Sequence, residues 1–470
     1  MNDDNAMQRV IQDLRAAAAG GTGTRLPSVR QLTARHHVAP ATVARATRQL
    51  VAEGLIEAVP GRGLFATAPG AGPSAGPGAG PPDHSWQTVT LGARPEGEDA
   101  MQALLAVPPP GAIALSGGYL DPALQPTTAL GAALGRAARQ PAAWDRGPAA
   151  GNADLRAWFA RDTGAGLHAD DVVICPGGQA ALTTAIRALT APGDPVLVES
   201  PTYLGALAVA RSAGRRVIPV PADADGVRPD LLAAALDRTG ARLLYCQPRY
   251  ANPHGATLAA GRRPAVLAAI RSAGAFLLED DYARDLGIDG EPAPPLIAAD
   301  PSGHVVHLRS LTKAIAPGLR VAALIARGPA AQRLRAARLL DDFFVAGPLQ
   351  QAALEFVTSP AWPRHRRTLR NALRERRDAL LTALRRHLPG LVPASVPGGG
   401  FHLWVRLPDG TDESRVVTAA AAEQVVVFPG HPWHGAEPPG AFLRLTYAAA
   451  PADRLDEGVR RLARAVTRSS

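Results

Sequence analysis

Between residues 7 and 67 the apolar positions change period twice. From 7 to 18 they gather on one side of a helix, with Val10, Ile11 and Leu14 together. Pro27 and Ser28 open a second predicted helix, 29–36, and a third runs over 39–53 with Gly54 closing it. Two short runs, 55–59 and 64–67, read as strands around the turn Pro60-Gly61-Arg62-Gly63. Three helices and a hairpin in this order outline a winged helix-turn-helix over residues 1–67.

Residues 68–85 are almost wholly Pro, Gly, Ala and Ser, which cannot bury a core and predict a linker. From 86 to 470 short apolar runs alternate with helical stretches. Strands are expected at 172–175, 195–199, 217–220, 243–247, 276–279, 305–308 and 321–325. Runs that are apolar on both faces belong in a mostly parallel sheet with helices on either side, an α/β architecture. A long helical stretch, 330–386, is interrupted near Gly347-Pro348 and at 360–363. A smaller α+β lobe is expected from about Pro393 onward. There is no short internal repeat.

Composition narrows the function. A chain of 470 residues predicts two or three compact units. No uncharged apolar run approaches the ~20 residues that cross a bilayer, so no membrane partner is expected. Met1-Asn2-Asp3-Asp4 lacks a basic stretch leading into an apolar one, which points to the cytoplasm. Cys175 and Cys246 sit inside apolar strand segments and read as reduced core residues, with no metal site. The net charge of +9 favours a polyanionic partner. Of the 50 basic residues only Lys313 is a lysine. Arginine serves wherever a fixed positive charge suffices, whereas a Schiff base needs an amine that can lose its proton. Lys313 is therefore the candidate nucleophile.

The first unit is basic. Between 25 and 67 there are six arginines (25, 30, 35, 45, 48 and 62) against Glu53 and Glu57. A helix carrying Thr42 and Arg45 would enter a major groove, while Arg30 and the wing residue Arg62 would reach phosphate or minor groove. Leu26-Pro27-Ser28-Val29-Arg30-Gln31-Leu32, Ala41-Thr42-Val43-Ala44-Arg45-Ala46, Glu53-Gly54-Leu55-Ile56 and Gly61-Arg62-Gly63 resemble the GntR family winged helix, in order and spacing. Ala39 and Pro40 replace the Ser/Thr-Arg pair common in that family, so its operator preference does not carry over.

Five segments at strand ends carry chemistry. Ser310-Leu311-Thr312-Lys313, with Arg320 seven residues on, resembles the Schiff-base segment of fold-type I pyridoxal-phosphate enzymes. There Ser310, Thr312 and Arg320 would bind the cofactor phosphate. Pro176-Gly177-Gly178-Gln179 opens a helix whose free N–H groups seat the same anion. The resemblance places Tyr203 against the pyridine ring and Asn252, in Asn252-Pro253-His254-Gly255, on the phenolic oxygen, shared with Tyr282. His254 stands where threonine is usual. Asp280 would hold the pyridine nitrogen protonated. Gly118 and Arg444 resemble the substrate-carboxylate positions, and Arg146 stands where many relatives have a tyrosine reaching the neighbouring subunit.

A GntR-type head, a linker and an aminotransferase-like domain over 86–470 resemble the MocR family of regulators. That resemblance implies a homodimer that binds DNA, holds pyridoxal 5'-phosphate on Lys313 with Asp280 as its second catalytic group, and senses the cofactor or an amino acid. The rival reading is an active aminotransferase carrying a DNA-binding head. A third is a pure sensor of cofactor supply.

Overall fold

The computed structural model describes residues 3–59, 62–67, 83–92, 98–290 and 293–469. They form two compact units, Met1–Ala93 and Arg94–Ser470.

In the first unit, helices Asp3–Ala18, Val29–His36 and Pro40–Ala52 precede a hairpin of Ile56–Val59 and Gly63–Ala66, paired Ile56 to Ala66. The first helix starts four residues before the expected Met7, because a polar first turn carries no periodic signal. Ser28 caps the second helix: its Oγ accepts from Gln31 N, and the Gln31 side chain accepts from Ser28 N at 2.9 Å. Pro40 starts the third helix, where a missing N–H costs nothing. Val10, Ile11, Leu14, Leu32, Val43 and Leu50 fill the core of this unit. Pro60, Gly61 and linker residues 68–82 lie outside the described residues. A helix, Ser85–Leu91, follows them.

The second unit is built on an eight-stranded sheet. Its order is Val172–Cys175, Ala322–Ile325, Val305–Ser310, Phe276–Asp281, Leu243–Cys246, Pro195–Ser200, Arg216–Asp223 and Gly226–Val227. The five strands from Val305–Ser310 to Arg216–Asp223 pair in parallel. Ala322–Ile325 runs antiparallel to both neighbours, and Gly226–Val227 is an antiparallel edge. Central strands such as Leu243–Cys246 are buried along their whole length, since helices cover both faces. Parallel strands all end on one side, so the loops after residues 200, 246, 281 and 310 converge there.

The long helical stretch resolves into Pro329–Asp342, Gly347–Thr358 and Ala361–His387. Pro363 is tolerated inside the first turn of the last, where its N–H has no partner to lose. The small lobe joins His402–Arg406, Phe442–Thr446 and Phe428–Pro429 in one sheet. It also recruits Ile113–Ala114, which pairs in parallel with Val425–Val426. Both cysteines are free and buried. Among the described residues no helix is long and apolar enough to cross a membrane.

Candidate functional site

The converging loops enclose a cavity in the second unit, with Lys313 at its centre. Its Nζ donates to the Gly118 carbonyl at 2.8 Å and lies 3.8 Å from the centre of the Tyr119 ring. Burial, then the charge of Arg444, depresses the ammonium to about 7. An amine that sheds its proton near neutrality is ready to attack a carbonyl.

One end of the cavity is an anion seat. Helix Gly178–Leu189 points its N-terminus inward, and Gly178 and Gln179 line the wall beside Ser310, Thr312 and Arg320. Gly177 has φ of 98°, and a β-carbon there would collide with the Arg320 guanidinium. Thr312 Oγ1 is buried with no partner among the described residues, and Ser310 Oγ accepts from Thr312 N at 3.3 Å. A buried hydroxyl left unpaired beside a guanidinium and a helix N-terminus is what an absent phosphate would satisfy.

At the other end lies Asp280, 5% exposed. Burial pushes its carboxyl up from the ordinary range, while hydrogen bonds from Tyr245 and Gln247 pull it down. Tyr245 Oη donates to its Oδ2 at 2.6 Å and Gln247 Nε2 to the same oxygen at 2.9 Å. Asp281 faces elsewhere, bound by Arg249 at 2.6 Å. That separates the two adjacent aspartates, which the sequence presents side by side. Gln247 Oε1 also accepts from Asn252 N, so one amide side chain ties together both flanks of the cavity.

Asn252, Tyr203 and Tyr282 complete the wall. Tyr203 Oη donates to Gln179 Oε1 at 3.1 Å, and Tyr282 Oη donates to the Tyr250 carbonyl at 2.7 Å. The Tyr282 proton is thus already committed, so only its oxygen is left to accept from a ligand. Arg444 is 1% exposed and stands behind the wall. It donates to Asn252 Oδ1 at 3.2 Å and to the Ser116 carbonyl, with Trp433 stacked at 4.3 Å. Burial lowers its pKa to about 9, and its Nε has no partner.

Three polar lining residues carry no motif in the sequence, Tyr119, Gln247 and His402, and neither does Tyr245, which stands behind Asp280. Tyr245 and Gln247 are two apart at a strand end and share a face. A polar residue ending an otherwise apolar strand was the available signal. His402 is buried, and burial followed by Arg444 and Lys313 holds its pKa well below the usual histidine range.

Asp280→Asn is expected to shift the spectrum of a bound pyridoxal cofactor and slow its reaction with amines by about 100-fold. Gln247→Leu should give a weaker version of the same phenotype. Asp281→Asn should instead cost about 3 kcal/mol of stability, as a broken buried pair does, and leave the spectrum alone. Denaturant melts and absorbance titrations separate the three.

On the first unit Arg30, Arg45 and Arg62 are exposed, and Arg62 lies 5.8 Å over the Phe65 ring. Thr42 is corrected: at 4% exposure it belongs to the core of the head and cannot read a base edge. Its period places it with Val43 and Ala46, leaving Ala41, Arg45 and Arg48 outward. Arg35 is paired with Asp13 at 2.9 Å.

Residues 132–462 match the family model of aminotransferase class I and II, and residues 3–65 match that of bacterial regulatory proteins of the gntR family. The chain is 28% identical to an uncharacterized HTH-type transcriptional regulator of Bacillus subtilis, YdfD, across 93% of this chain and 90% of that one. It is 33% identical to 2-aminoadipate transaminase of Thermus thermophilus, across 76% of this chain and 90% of that one. Among solved structures, an alpha-aminoadipate aminotransferase of the same organism, complexed with N-(5'-phosphopyridoxyl)-L-leucine, superposes with a TM-score of 0.73. The two are 30% identical, over 78% of this chain and 96% of that one.

Proposed function

The chain belongs to the aminotransferase class I and II family and carries a gntR-family head, the MocR arrangement, and from that premise we propose a transcription regulator whose DNA binding answers to an amino acid or to the cofactor itself. The observation that carries this reading is Lys313, the one lysine of the chain, half-buried in a cavity whose wall also offers a helix N-terminus beside Arg320 and the carboxylate of Asp280. The cofactor is pyridoxal 5'-phosphate, which supplies an aldehyde that condenses with amines and a ring that draws electrons from the attached carbon.

The residues divide the work as follows. Gly178, Gln179, Ser310, Thr312 and Arg320 bind the phosphate. Tyr203 would lie against the ring, Asn252 would donate to the phenolic oxygen, and Tyr282 would accept from the phenolic O–H. Asp280 keeps a proton on the ring nitrogen, and Lys313 supplies the amine. Arg444 takes the carboxylate of the effector, which would replace the Ser116 carbonyl on its guanidinium. The Gly118 carbonyl, two residues from Ser116, holds the Lys313 amine.

A homodimer is part of the proposal. Trp144, Leu340 and Phe343 stand exposed on the large lobe. Gly347 lies directly against the Ala143 carbonyl, next to Trp144 in sequence. A second copy would cover such an apolar area. An active aminotransferase is the second reading, favoured by the joint presence of the lysine, the buttressed Asp280 and a buried arginine with no acid partner among the described residues. Absorbance changes with a panel of amino acids and one keto acid, run beside gel shifts on the DNA upstream of the gene, decide between them. Turnover without an effect on DNA would reverse the order of the two.

DNA affinity should fall steeply with salt, as each neutralised phosphate releases its counterions. Arg30→Ala and Arg62→Ala are each expected to weaken binding on all sequences and to lower the salt slope by about 1. Arg45→Ala should also relax sequence discrimination. Filter binding at several ionic strengths measures both effects. Indifference to salt would remove the arginines from the interface.

A further inference from the structure

His254, the departure in the Asn-Pro-x-Gly turn, does not face the cofactor cavity. It lines a second one of about 220 Å³, set between the large and small lobes and sharing no lining residue with the first. His254 is 7% exposed, and among the described residues neither of its ring nitrogens has a partner. Across the cavity stands His434, 8% exposed, with Nε2 equally unpaired. Trp404 and Phe442, stacked on one another at 5.0 Å and 10°, also line it. Buried polar atoms almost always find partners, and three orphaned nitrogens on residues that line one space call for an occupant.

We propose that this cleft is a second small-molecule site, for an uncharged planar ring bearing both a hydrogen-bond donor and an acceptor. The chemistry of the walls selects that class. Burial holds both imidazoles near a pKa of about 4, so at neutral pH each offers one donor and one acceptor and no charge. Asp223 at the rim is already occupied by Arg262, at 2.6 and 2.9 Å. A charged ligand would therefore lose water without gaining a counter-ion. A metal ion is disfavoured too: among the described residues no group of three or more His, Cys, Asp or Glu could hold one. The stacked wall takes a ring face, and the volume admits one ring with a short substituent.

The place of this cleft suggests what binding would do. His254 is two residues from Asn252, Trp404 two from His402, and Phe442 two from Arg444. On the two strands that step keeps the same face. A ring bridging the lobes would thus press on the elements that carry the cofactor pocket, from outside it.

Benzamide, uncharged and with both hydrogen-bonding functions, is the probe, and benzoate is its charged counterpart. Calorimetric titration of the cofactor-loaded full chain should give saturable benzamide binding with a Kd below about 1 mM. Benzoate should bind at least ten-fold more weakly. His254→Leu and His434→Leu should each weaken benzamide ten-fold or more, with the cofactor absorbance intact as a check on folding. His254→Gln, which keeps a donor and an acceptor, should stay within three-fold of the parent. No saturation with benzamide, equal binding of benzoate, or leucine variants that bind as well as the parent would overturn the proposal.

Discussion

The Lys313→Arg protein is expected to fold, to bind DNA, and to show none of the visible absorbance that pyridoxal phosphate acquires on a lysine. Arginine preserves the charge and nearly the length, so a loss of the band isolates the amine itself. A guanidinium cannot be deprotonated in a protein and does not form the carbon–nitrogen double bond. Borohydride treatment, dialysis and mass measurement provide the second reading: the parent chain gains the reduced cofactor and the variant does not. A variant that keeps the adduct would move the attachment elsewhere. The pH dependence of loading sharpens the test. Below about 7 the Lys313 amine is mostly protonated, and only the neutral form attacks. Loading should rise about ten-fold per pH unit up to that point and flatten above it. A lysine at its ordinary value of 10.5 would keep rising across the whole range.

Arg444→Ala should leave cofactor loading unchanged and abolish the spectral response to amino acids. A desolvated, charge-assisted pair lost in this way costs on the order of 2–5 kcal/mol, a weakening of about thirty- to several thousand-fold. Arginines at strand ends often pair with a nearby acid, but the hydrogen bonds of Arg444 go to Asn252 and to a backbone carbonyl. Among the described residues no carboxylate pairs with this buried guanidinium, which leaves it able to take one from a ligand. Arg444→Lys keeps a charge but loses the bidentate fork, so it should fall between the parent and the alanine variant. The DNA response to the amino acid should weaken in parallel while basal binding stays. An alanine variant that responds normally would make the protein a sensor of the cofactor alone.

Much of this was legible in the chain because burial writes itself as pattern. The runs at 172–175 and 305–308 are apolar on both faces, and their edges follow within two residues. Direction is not written in that way. Nothing in Ala322–Ile325 says that it runs against its neighbours, since an antiparallel strand buried on both faces has the same composition as a parallel one. Motif likeness placed Asp280, but the reason it outranks Asp281 lies in Tyr245, Gln247 and Arg249, which only the folded sheet brings near. Thr42 shows the opposite failure. A residue inside a recognition motif was taken to face outward, although the helical period assigns it to the core. His254 was visible as a departure from the usual threonine, yet its partner His434 lies 180 residues on, beyond the reach of any spacing argument.

The solitary lysine also turns the protein into its own occupancy gauge. An endoprotease specific for lysine has one cleavage point in the denatured chain, separating 1–313 from 314–470. Fixing the cofactor on that amine with borohydride removes the point altogether. The fraction of full-length chain surviving digestion therefore counts loaded molecules directly on a gel, from purified protein or from cells fixed in one growth condition and another.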